Sequence, residues 1–446
     1  MNETIVIIGG GAGGMTTASQ LKKLSPEKRV VVFDKGPYVS WAGCPTPYYI
    51  AEELPFKSVV HFTPDFFKGR GIEVYVNHEV TKIDKENKKV IVKGNEIDGE
   101  FTYDKLVLSL GGKSFVPNIK NYNNKLENLF KLSHAVEAEQ IKNYIDNQKP
   151  KKAVVVGSGF IGLEMAEAFK QRGLDVTIVE AMDKIFPSLN ENFRKTLMDK
   201  MNEKEIKLLL NEKVIEIESN DNKVTKLIFE SGNSIEADIF LLAIGLRPNL
   251  DLLIESGFEL ENNKLVINEK FETNYKDIYA LGDMIYNKNL ITKKETYAPF
   301  GDVADKQGII LSKILSGKDV SWRGVIGTFA TSFFNIKIAK TGLTYDEAIK
   351  EGYNAKSISV TGVPKVSGFK DSTKGTMEII YDDDKKIILG AAMLGYEAVA
   401  QFIDQVAIAI TYKISIEDLF YVDYAYSPTN ASVWNPLVVA YRKACK

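Results

Sequence analysis

Three glycines near the start of the chain have the spacing of a loop that holds a dinucleotide. Gly9, Gly11 and Gly14 follow the apolar segment 4–8 and open a segment with helical periodicity. In such a loop the first glycine makes a tight turn, the second lets the backbone approach a pyrophosphate, and the third lets helix and strand pack closely. Asp34 ends the next apolar segment, where a carboxylate can bind ribose hydroxyls. The pattern predicts a dinucleotide site.

A second set of glycines repeats this arrangement. Gly157, Gly159 and Gly162 stand after the apolar segment 153–156, and Glu180 ends the apolar segment that follows the predicted helix. An acid at this position accepts a hydrogen bond from a ribose 2′-hydroxyl and repels a 2′-phosphate, and the residue after it is not an arginine. The second site is therefore expected to prefer NADH, with NADPH possible.

Two dinucleotide sites in one chain predict an oxidoreductase. Hydride has to pass between two redox ligands, so one site would hold a flavin tightly and the other an exchangeable nicotinamide. Each site lies in a strand, loop, helix and strand unit, and two such units predict an α/β fold with two Rossmann-like dinucleotide-binding lobes.

The sequence changes character near Trp322. Segments 377–381 and 387–393 surround an acidic turn, as in an antiparallel hairpin. A Thr-x-x-Glu capping box at 344–347 and the mostly apolar segment 396–412 predict two helices. The third region is therefore predicted to be a C-terminal α+β domain.

One cysteine stands in a setting that could make it reactive. Cys44 precedes Pro45, which suits the first position of a helix, and a helix N-terminus lowers the pKa of a nearby thiol. From these residues alone a buried structural cysteine is an equally good interpretation. Cys445 lies outside every motif and is interpreted as an incidental thiol.

Composition narrows the possible functions. The chain has 446 residues, a net charge of -2 and two cysteines. This excludes a disulfide scaffold and a four-cysteine metal site, and it gives no sign of a nucleic-acid surface or of any other metal site. Few cysteines, no signal sequence and no apolar stretch of membrane-spanning length predict a cytoplasmic protein.

Two further segments are similar to motifs of the pyridine nucleotide-disulfide oxidoreductase superfamily. Segment 273–283, which ends in Leu-Gly-Asp, resembles the second flavin motif of that family, and segment 243–249 resembles the bridge between its lobes. The resemblance covers most of the chain. It implies FAD in the first dinucleotide site and the nicotinamide in the second. The implied domains are 1–112 with 246–321 for FAD, 113–245 for NAD(P)H, and 322–446 for dimerisation.

The resemblance also implies which residues contact the two cofactors. The residues implied for FAD are Gly9, Gly11, Ala12, Gly14, Asp34, Lys35, Ser40, Gly111 and Asp283. The residues implied for NAD(P)H are Gly157, Gly159, Phe160, Ile161, Gly162, Glu164, Glu180 and Gly245. Among them, Asp283 would hold the ribitol chain and Glu164 would lie near the nicotinamide.

Cys44 indicates the branch of the superfamily. Members of the glutathione reductase type have a Cys-x4-Cys pair beside the flavin, and this chain has Tyr49 at the second position. It resembles instead the single-cysteine branch of coenzyme A-disulfide reductases, coenzyme A persulfide or polysulfide reductases, and NADH oxidases and peroxidases. There the cysteine cycles through a mixed disulfide, a persulfide or a sulfenic acid. Peroxidase and oxidase members carry a histidine where this chain has Ala12, which favours the coenzyme A members.

The coenzyme A members imply further site residues. The positions that hold their substrate correspond here to Thr16, Gln20, Lys23 and Ser40. Tyr426, in Ala-Tyr-Ser-Pro, matches a tyrosine that the partner subunit places over the cysteine, where it would protonate or orient the departing thiol. Tyr424 is the fallback. A homodimer is therefore expected. Asp305 stands where a histidine is found in those members.

The resemblance predicts an enzyme in which NADH reduces FAD and FAD reduces Cys44, which attacks a disulfide or persulfide. Three alternatives stay open. The chain could be an NADH oxidase that forms a sulfenic acid on Cys44, a reductase of a small electron carrier, or a flavin-dependent redox sensor. His61, His78 and His134 lie outside the motifs and are expected to be surface or structural residues.

Overall fold

Helices and strands alternate through the first two thirds of the chain, in a computed structural model that describes residues 3–370 and 372–445. In chain order the strands are β1 (Thr4–Ile8), β2 (Arg29–Phe33), β3 (Ile72–Tyr75), β4 (Glu79–Asp84), β5 (Lys89–Lys93), β6 (Gly99–Thr102), β7 (Lys105–Leu108), β8 (Gly112–Ser114), β9 (Leu129–Phe130), β10 (Lys152–Val156), β11 (Asp175–Val179), β12 (Lys207–Leu209), β13 (Val214–Asn220), β14 (Lys223–Phe229), β15 (Ser234–Glu236), β16 (Ile239–Leu242), β17 (Leu246–Pro248), β18 (Ile278–Ala280), β19 (Asn287–Lys288), β20 (Glu295–Thr296), β21 (Phe329–Phe333), β22 (Ile336–Gly342), β23 (Ala355–Gly362), β24 (Gly375–Asp382) and β25 (Ile387–Gly395).

The helices connect these strands and end the chain. They are α1 (Ala12–Leu24), α2 (Thr46–Ile50), α3 (Pro64–Lys68), α4 (Ala135–Gln148), α5 (Phe160–Gln171), α6 (Glu191–Glu203), α7 (Asp251–Glu255), α8 (Gly301–Leu315), α9 (Tyr345–Lys350), α10 (Val399–Tyr412), α11 (Ile416–Phe420) and α12 (Pro436–Ala444).

The described residues pack as two compact units. The first contains residues 3–183, 204–287 and 297–323, and the second contains residues 184–203, 288–296, 324–370 and 372–445. Both glycine loops therefore lie in the first unit, and the hairpin predicted from the acidic turn lies in the second. The finer division of the first unit into an FAD lobe and a nicotinamide lobe stays a prediction.

A five-stranded parallel sheet holds the first glycine loop. Its order is β18-β7-β1-β2-β3, so that β1 lies in the middle and pairs with β2 and β7. The residues of β1 from Ile5 to Ile8 are all buried, as expected for a parallel strand covered on both faces. The loop after β1 consequently opens at the carboxyl edge of the sheet, where α/β proteins bind ligands.

A second parallel sheet repeats this plan around the second glycine loop. Its order is β12-β11-β10-β16-β9, and β10 takes the central place that β1 has in the first sheet. Antiparallel meanders, β4-β5-β6 and β13-β14-β15, accompany the two sheets. The prediction of two Rossmann-like lobes is confirmed.

The second unit is built on an antiparallel sheet of order β21-β22-β25-β24-β23. β24 and β25 form the predicted hairpin. Thr344 and Glu347 form the predicted capping box at the start of α9. The helix predicted over 396–412 begins later, at Val399, because Ala398 has a φ of 53°, outside the helical region. The predicted α+β domain is confirmed.

The described residues include no helix that combines the length and the apolar character needed to cross a bilayer. α10, for example, has 14 residues, whereas a spanning helix needs about 20.

Candidate functional site

The first glycine loop has the backbone geometry that its spacing predicts. Gly9 has a φ of 105°, and a side chain there would overlap the carbonyl oxygen of Ser109. A side chain at Gly14 would overlap the carbonyl oxygen of Gly9, so α1 can approach β1 only if residue 14 is a glycine. Around Gly11, in contrast, no atom lies within 4 Å of where a Cβ would stand. That free space at the start of α1 fits a bound pyrophosphate, which the free N–H groups of the helix would stabilise.

Asp34 holds this loop in place through its carboxylate. One oxygen accepts a hydrogen bond from the Gly10 N–H and the other accepts from the Gly36 N–H, each at 2.7 Å. Burial raises the pKa of Asp34, while the two hydrogen bonds and the neighbouring His134 act in the opposite direction. Lys35 is exposed next to it, and Ala12 is the first residue of α1.

The second loop reproduces the first in detail. Gly157 has a φ of 106°, and side chains at Gly157 and Gly162 would overlap backbone oxygens, whereas Gly159 has free space around it. Glu180 accepts hydrogen bonds from the N–H and hydroxyl of Ser158, at 2.9 and 2.6 Å, and from a second backbone N–H at 3.0 Å. Phe160 and Ile161 begin α5, which starts directly after Gly159. The geometry fits a second dinucleotide.

Asp283 is a half-buried carboxyl group without a side-chain partner among the described residues. It lies in a short 3₁₀ turn, Gly282–Met284, and burial raises its pKa to about 6. No side chain or N–H of the described residues donates to its carboxylate, although the Tyr297 hydroxyl donates to its backbone oxygen at 2.9 Å. A largely desolvated carboxylate that receives no hydrogen bond from the described residues fits a ligand that brings hydroxyl donors, as the ribitol chain of FAD does.

Two other predicted cofactor residues are open glycines. Gly111 has a φ of 69° and Gly245 has a φ of 111°, and neither has an atom within 4 Å of where a Cβ would stand. Both therefore leave their backbone accessible to a ligand.

Cys44 belongs to a segment that is hydrogen-bonded to the first glycine loop. The Ser40 N–H donates to the Gly10 carbonyl oxygen at 2.7 Å, and Ser40 has a φ of 53°. α2 follows at Thr46, one residue later than predicted, and has only five residues. The Cys44 thiol is free and reachable by solvent. The thiol is therefore open to solvent in a segment that is hydrogen-bonded to the glycine loop.

The prediction that a helix N-terminus lowers the pKa of Cys44 is wrong. The pKa of the thiol is raised, first because the surrounding protein desolvates the thiolate and second because the Glu164 carboxylate repels it. Asp302 and Asp283 add to the repulsion. A short helix such as α2 provides too small a dipole to outweigh these effects.

Glu164 comes close to the cysteine segment through helix packing. α5, which carries Glu164, packs against α2, and Glu164 lines a small cavity together with Pro47, Tyr48 and Ala51. The residue predicted to lie near the nicotinamide is therefore also next to the helix that follows Cys44.

The three predicted substrate residues of α1 share one side of the helix, because they are spaced four and three residues apart. The Thr16 hydroxyl donates to the Asp305 carboxylate at 2.6 Å, so it already has a partner on α8. Gln20 is half-buried and Lys23 is exposed. The structure thus leaves Gln20 and Lys23 as the accessible members of the set.

Tyr426 lies in the second unit and is 55% exposed. Tyr424, two residues before it, is half-buried, and its hydroxyl donates to the Leu419 carbonyl oxygen at 3.0 Å. Burial raises the pKa of Tyr424 to about 12. Tyr426 therefore has the more accessible hydroxyl of the two.

The histidines have more specific roles than the sequence indicates. His78 is buried, with Nδ1 2.8 Å from the Val76 carbonyl oxygen and Nε2 accepting from two backbone N–H groups. His134 caps α4, and its ring packs against Trp41 in a tilted arrangement with ring centroids 4.3 Å apart. Histidine is an unusual cap, but Glu137, three residues later, completes a capping box and is the signal that could have identified it. Among the described residues, no cluster of His, Cys, Asp and Glu could hold a metal ion.

Two family models match the chain over most of its length. The model described as pyridine nucleotide-disulphide oxidoreductase matches residues 3–308. The model described as the dimerisation domain of that group matches residues 328–437.

Several known proteins are similar to nearly the whole chain. The NAD(P)H sulfur oxidoreductase (CoA-dependent) of Pyrococcus abyssi is 34% identical over 449 residues, covering 99% of this chain and 98% of that protein. The NAD(P)H coenzyme A polysulfide/persulfide reductase of Pyrococcus horikoshii is 32% identical over 447 residues, with coverages of 99% and 98%. The crystal structure of reduced CoADR-RHD from Bacillus anthracis superposes with a TM-score of 0.94 at 30% identity, covering 100% of this chain and 80% of that one.

Substitution by alanine distinguishes Gly14, which is needed for packing, from Gly11, which we expect to be needed for ligand binding. Gly14→Ala should lower the stability of the protein by about 2–3 kcal/mol, because the added methyl group overlaps the Gly9 oxygen. Gly11→Ala should leave the melting temperature of the FAD-free protein unchanged and weaken FAD binding by about tenfold or more, equivalent to about 1.4 kcal/mol. Thermal unfolding and flavin fluorescence measure the two effects. Gly159→Ala is the control, and it should weaken NADH binding only. Equal loss of stability in Gly11→Ala and Gly14→Ala would contradict the assignment.

The raised pKa of Cys44 predicts a particular pH dependence of alkylation. With Cys445→Ser as background, the rate of reaction with iodoacetamide should still be rising at pH values above the ordinary pKa of a cysteine thiol. Glu164→Gln should shift this profile to lower pH, because it removes a negative charge that repels the thiolate. Glu167→Gln, one turn along α5, is the matched control and should leave the profile in place. A midpoint below the ordinary value in the unchanged protein would disprove the expectation.

Proposed function

Because the chain belongs to the pyridine nucleotide-disulphide oxidoreductase family, we propose that it carries electrons from NADH to a disulfide or persulfide sulfur through Cys44. FAD and NAD(P)H are the cofactors of this family. The observation that carries the proposal is the place of Cys44, in a segment hydrogen-bonded through Ser40 to the first glycine loop. The chain has no Cys-x4-Cys pair, since its other cysteine is Cys445. We therefore propose that Cys44 forms its disulfide with a sulfur of the substrate.

The proposed chemistry is thiol–disulfide exchange. The Cys44 thiolate attacks one sulfur of R–S–S–R, a mixed disulfide between Cys44 and one R–S group forms, and the other R–S group leaves and takes up a proton. FAD, when bound, supplies the two electrons that come from NADH, and their delivery to the mixed disulfide frees the second thiol and the Cys44 thiolate. The balance is NADH, one proton and R–S–S–R giving NAD+ and two R–SH. Both cysteines are free, so we place this chemistry in the cytoplasm, where thiols stay reduced.

The two loops have the same geometry, so we assign the two dinucleotides by the order of the motifs in the family, with FAD at the first loop and the nicotinamide at the second. For FAD we propose Gly11 and Asp34 around the pyrophosphate and ribose and Asp283 at the ribitol chain. For the nicotinamide dinucleotide we propose Gly159 and Glu180. NADH is preferred over NADPH because the Glu180 carboxylate would repel a 2′-phosphate.

A surface patch beside α1 supports coenzyme A as the thiol carrier. Phe62 stacks on Phe66 with ring centroids 4.0 Å apart, and the Arg70 guanidinium lies 3.5 Å from the centre of the Phe66 ring. Aromatic faces stack on nucleobases, and arginine and lysine pair with phosphates. The patch continues towards α1, because the side chain of Lys22 lies against Gly71. We propose that it acts with the exposed Lys23 to bind the nucleotide part of coenzyme A.

We further propose that the enzyme is a homodimer in which Tyr426 of one subunit acts at Cys44 of the other. The match of residues 328–437 to the dimerisation domain supports the dimer. Large apolar side chains around Tyr426 are exposed in the single chain, at Tyr421, Val422, Val433 and Trp434. Burying them against a second copy would be favourable. The accessible hydroxyl of Tyr426 could then protonate the departing thiol.

The function is tested by anaerobic NADH oxidation with coenzyme A disulfide, coenzyme A persulfide and polysulfide. Cys44→Ser should lose activity towards the sulfur acceptors by about 10³-fold or more, because it cannot form the mixed disulfide. It should keep its rate with ferricyanide, which can take electrons without the cysteine. Cys445→Ser is the matched control and should behave as the unchanged enzyme. Full sulfur reduction in Cys44→Ser would point instead to an electron-carrier reductase. Loss of oxygen-dependent NADH consumption alone, with sulfur reduction intact, would point to an NADH oxidase.

The contribution of Tyr426 across subunits is tested with mixed dimers. Tyr426→Phe and Cys44→Ser homodimers should each be impaired, the former by about 10²-fold, as for loss of a general acid. A mixed dimer of the two variants contains one site with both native residues if Tyr426 comes from the partner, so it should recover half of the native activity. Mixed dimers as inactive as the parent variants would place Tyr426 elsewhere. Tyr424→Phe is the control and should retain activity.

A further inference from the structure

The His134 ring lies beside the carboxylate that the first loop presents to its ligand. A Cβ built on Gly36 would lie 3.3 Å from Cε1 and 3.5 Å from Nε2 of His134, so the imidazole edge lies directly over this glycine. Gly36 in turn donates its N–H to Asp34 at 2.7 Å. Each of the two ionisable groups shifts the pKa of the other. His134 is therefore a neighbour of Asp34, although the two are distant in sequence.

The hydrogen bonds determine which ring nitrogen of His134 carries the proton. Nδ1 accepts a hydrogen bond from the Val136 N–H at 3.3 Å as the cap of α4, so Nδ1 has no proton. Burial lowers the pKa of His134, which keeps the ring neutral and places its one proton on Nε2. Within the described residues the Nε2–H has no acceptor. The Trp41 ring packs against the imidazole in a tilted arrangement, with ring centroids 4.3 Å apart, and so restricts how the imidazole can turn.

Asp34 and His134 have complementary hydrogen-bonding capacity. Each oxygen of Asp34 accepts one backbone N–H, and a carboxylate has about four acceptor positions, so Asp34 can accept further hydrogen bonds. His134 has one donor to offer. A hydroxyl group is a donor and an acceptor at once, so it can donate to Asp34 while it accepts from His134.

We propose that His134 is a binding residue for the adenosine end of FAD, in which Nε2–H donates to a ribose hydroxyl whose proton Asp34 accepts. Trp41 orients the ring and does not itself take part in the hydrogen bond. The proposal rests on FAD being held by the first glycine loop and is independent of the electron acceptor. The role of His134 can therefore be disproved while the proposed sulfur chemistry stands. Likewise, the sulfur chemistry can be disproved while His134 remains an FAD-binding residue.

A purely structural role of His134 has to be separated from ligand binding. His134→Asn retains a good helix cap, because asparagine accepts the same backbone N–H, but it lacks the ring that reaches towards Gly36. His134→Ala loses both functions. His61→Asn is the matched control, since His61 is exposed and only its backbone N–H is hydrogen-bonded, to Ser40.

The test measures how fast FAD leaves the full-length holoenzyme on dilution, followed by the rise in flavin fluorescence. His134→Asn should release FAD about tenfold faster than the unchanged enzyme, the effect of one lost hydrogen bond at a well-ordered site. His61→Asn should release it at the original rate. An unchanged release rate in His134→Asn, together with faster release in His134→Ala, would reduce His134 to a helix cap and overturn the proposal.

A second measurement shows which end of FAD is involved. ADP, which carries only the adenosine end, should compete with FAD for rebinding, and its inhibition constant should rise in His134→Asn by the same factor as the FAD release rate. If FAD binding weakens and ADP binding does not, the assignment to the adenosine end is wrong.

Should His134→Asn fail to fold, Trp41→Leu provides the test, because removing the aromatic ring that packs against the imidazole should speed FAD release about threefold. Unchanged release in that variant would contradict the proposal.

Discussion

One peptide unit, that of Gly10, connects the parts of the site. Its N–H donates to Asp34 at 2.7 Å, and its carbonyl oxygen accepts from the Ser40 N–H at 2.7 Å. The first bond ties the glycine loop to the end of β2, and the second ties it to the segment that carries Cys44. The backbone of the cysteine segment is thus held against the loop at Ser40, four residues before Cys44, while the Asp34 carboxylate holds the loop itself. A redox reaction between a ligand of the loop and a cysteine needs this kind of fixed geometry.

The same constraint explains a difference between the two loops. In the first loop the middle residue is Gly10, and a side chain there would overlap Val39, which precedes Ser40 in the cysteine segment. In the second loop the equivalent residue is Ser158, whose hydroxyl donates to Glu180 at 2.6 Å. Both residues donate a backbone N–H to the acid at the end of the following strand. The first loop therefore requires glycine at position 10, because the cysteine segment passes next to it. The second loop has room for the Ser158 side chain, which adds a hydrogen bond to Glu180.

Local sequence patterns are sufficient to predict much of the fold. Features that depend on residues distant in the sequence cannot be predicted from such patterns. The glycine spacings and apolar segments predicted both parallel sheets, and the family prediction is confirmed by matches over residues 3–308 and 328–437. The predicted start of α10 is wrong because nothing in this apolar segment indicates that Ala398 has a left-handed backbone conformation. The predicted direction of the Cys44 pKa shift is wrong because the folded protein desolvates the thiolate and, second, because helix packing brings the Glu164 carboxylate near it. The position of His134 beside Gly36 likewise exists only in the folded chain. The roles of the individual site residues stay predictions.

The carboxylate of Asp283, which receives no hydrogen bond from the described residues, has a consequence for the stability of the protein without its cofactor. Its pKa of about 6 means that, without a ligand, ionising it at neutral pH costs about 3 kcal/mol relative to an unfolded chain. This cost is absent below about pH 4, grows as the pH rises to about 6, and is constant above that. A ligand that donates hydroxyl hydrogen bonds to Asp283 removes it. If FAD is that ligand, as we propose, chains without flavin are expected to unfold more readily than chains with it, and proteases would then remove unfilled molecules first.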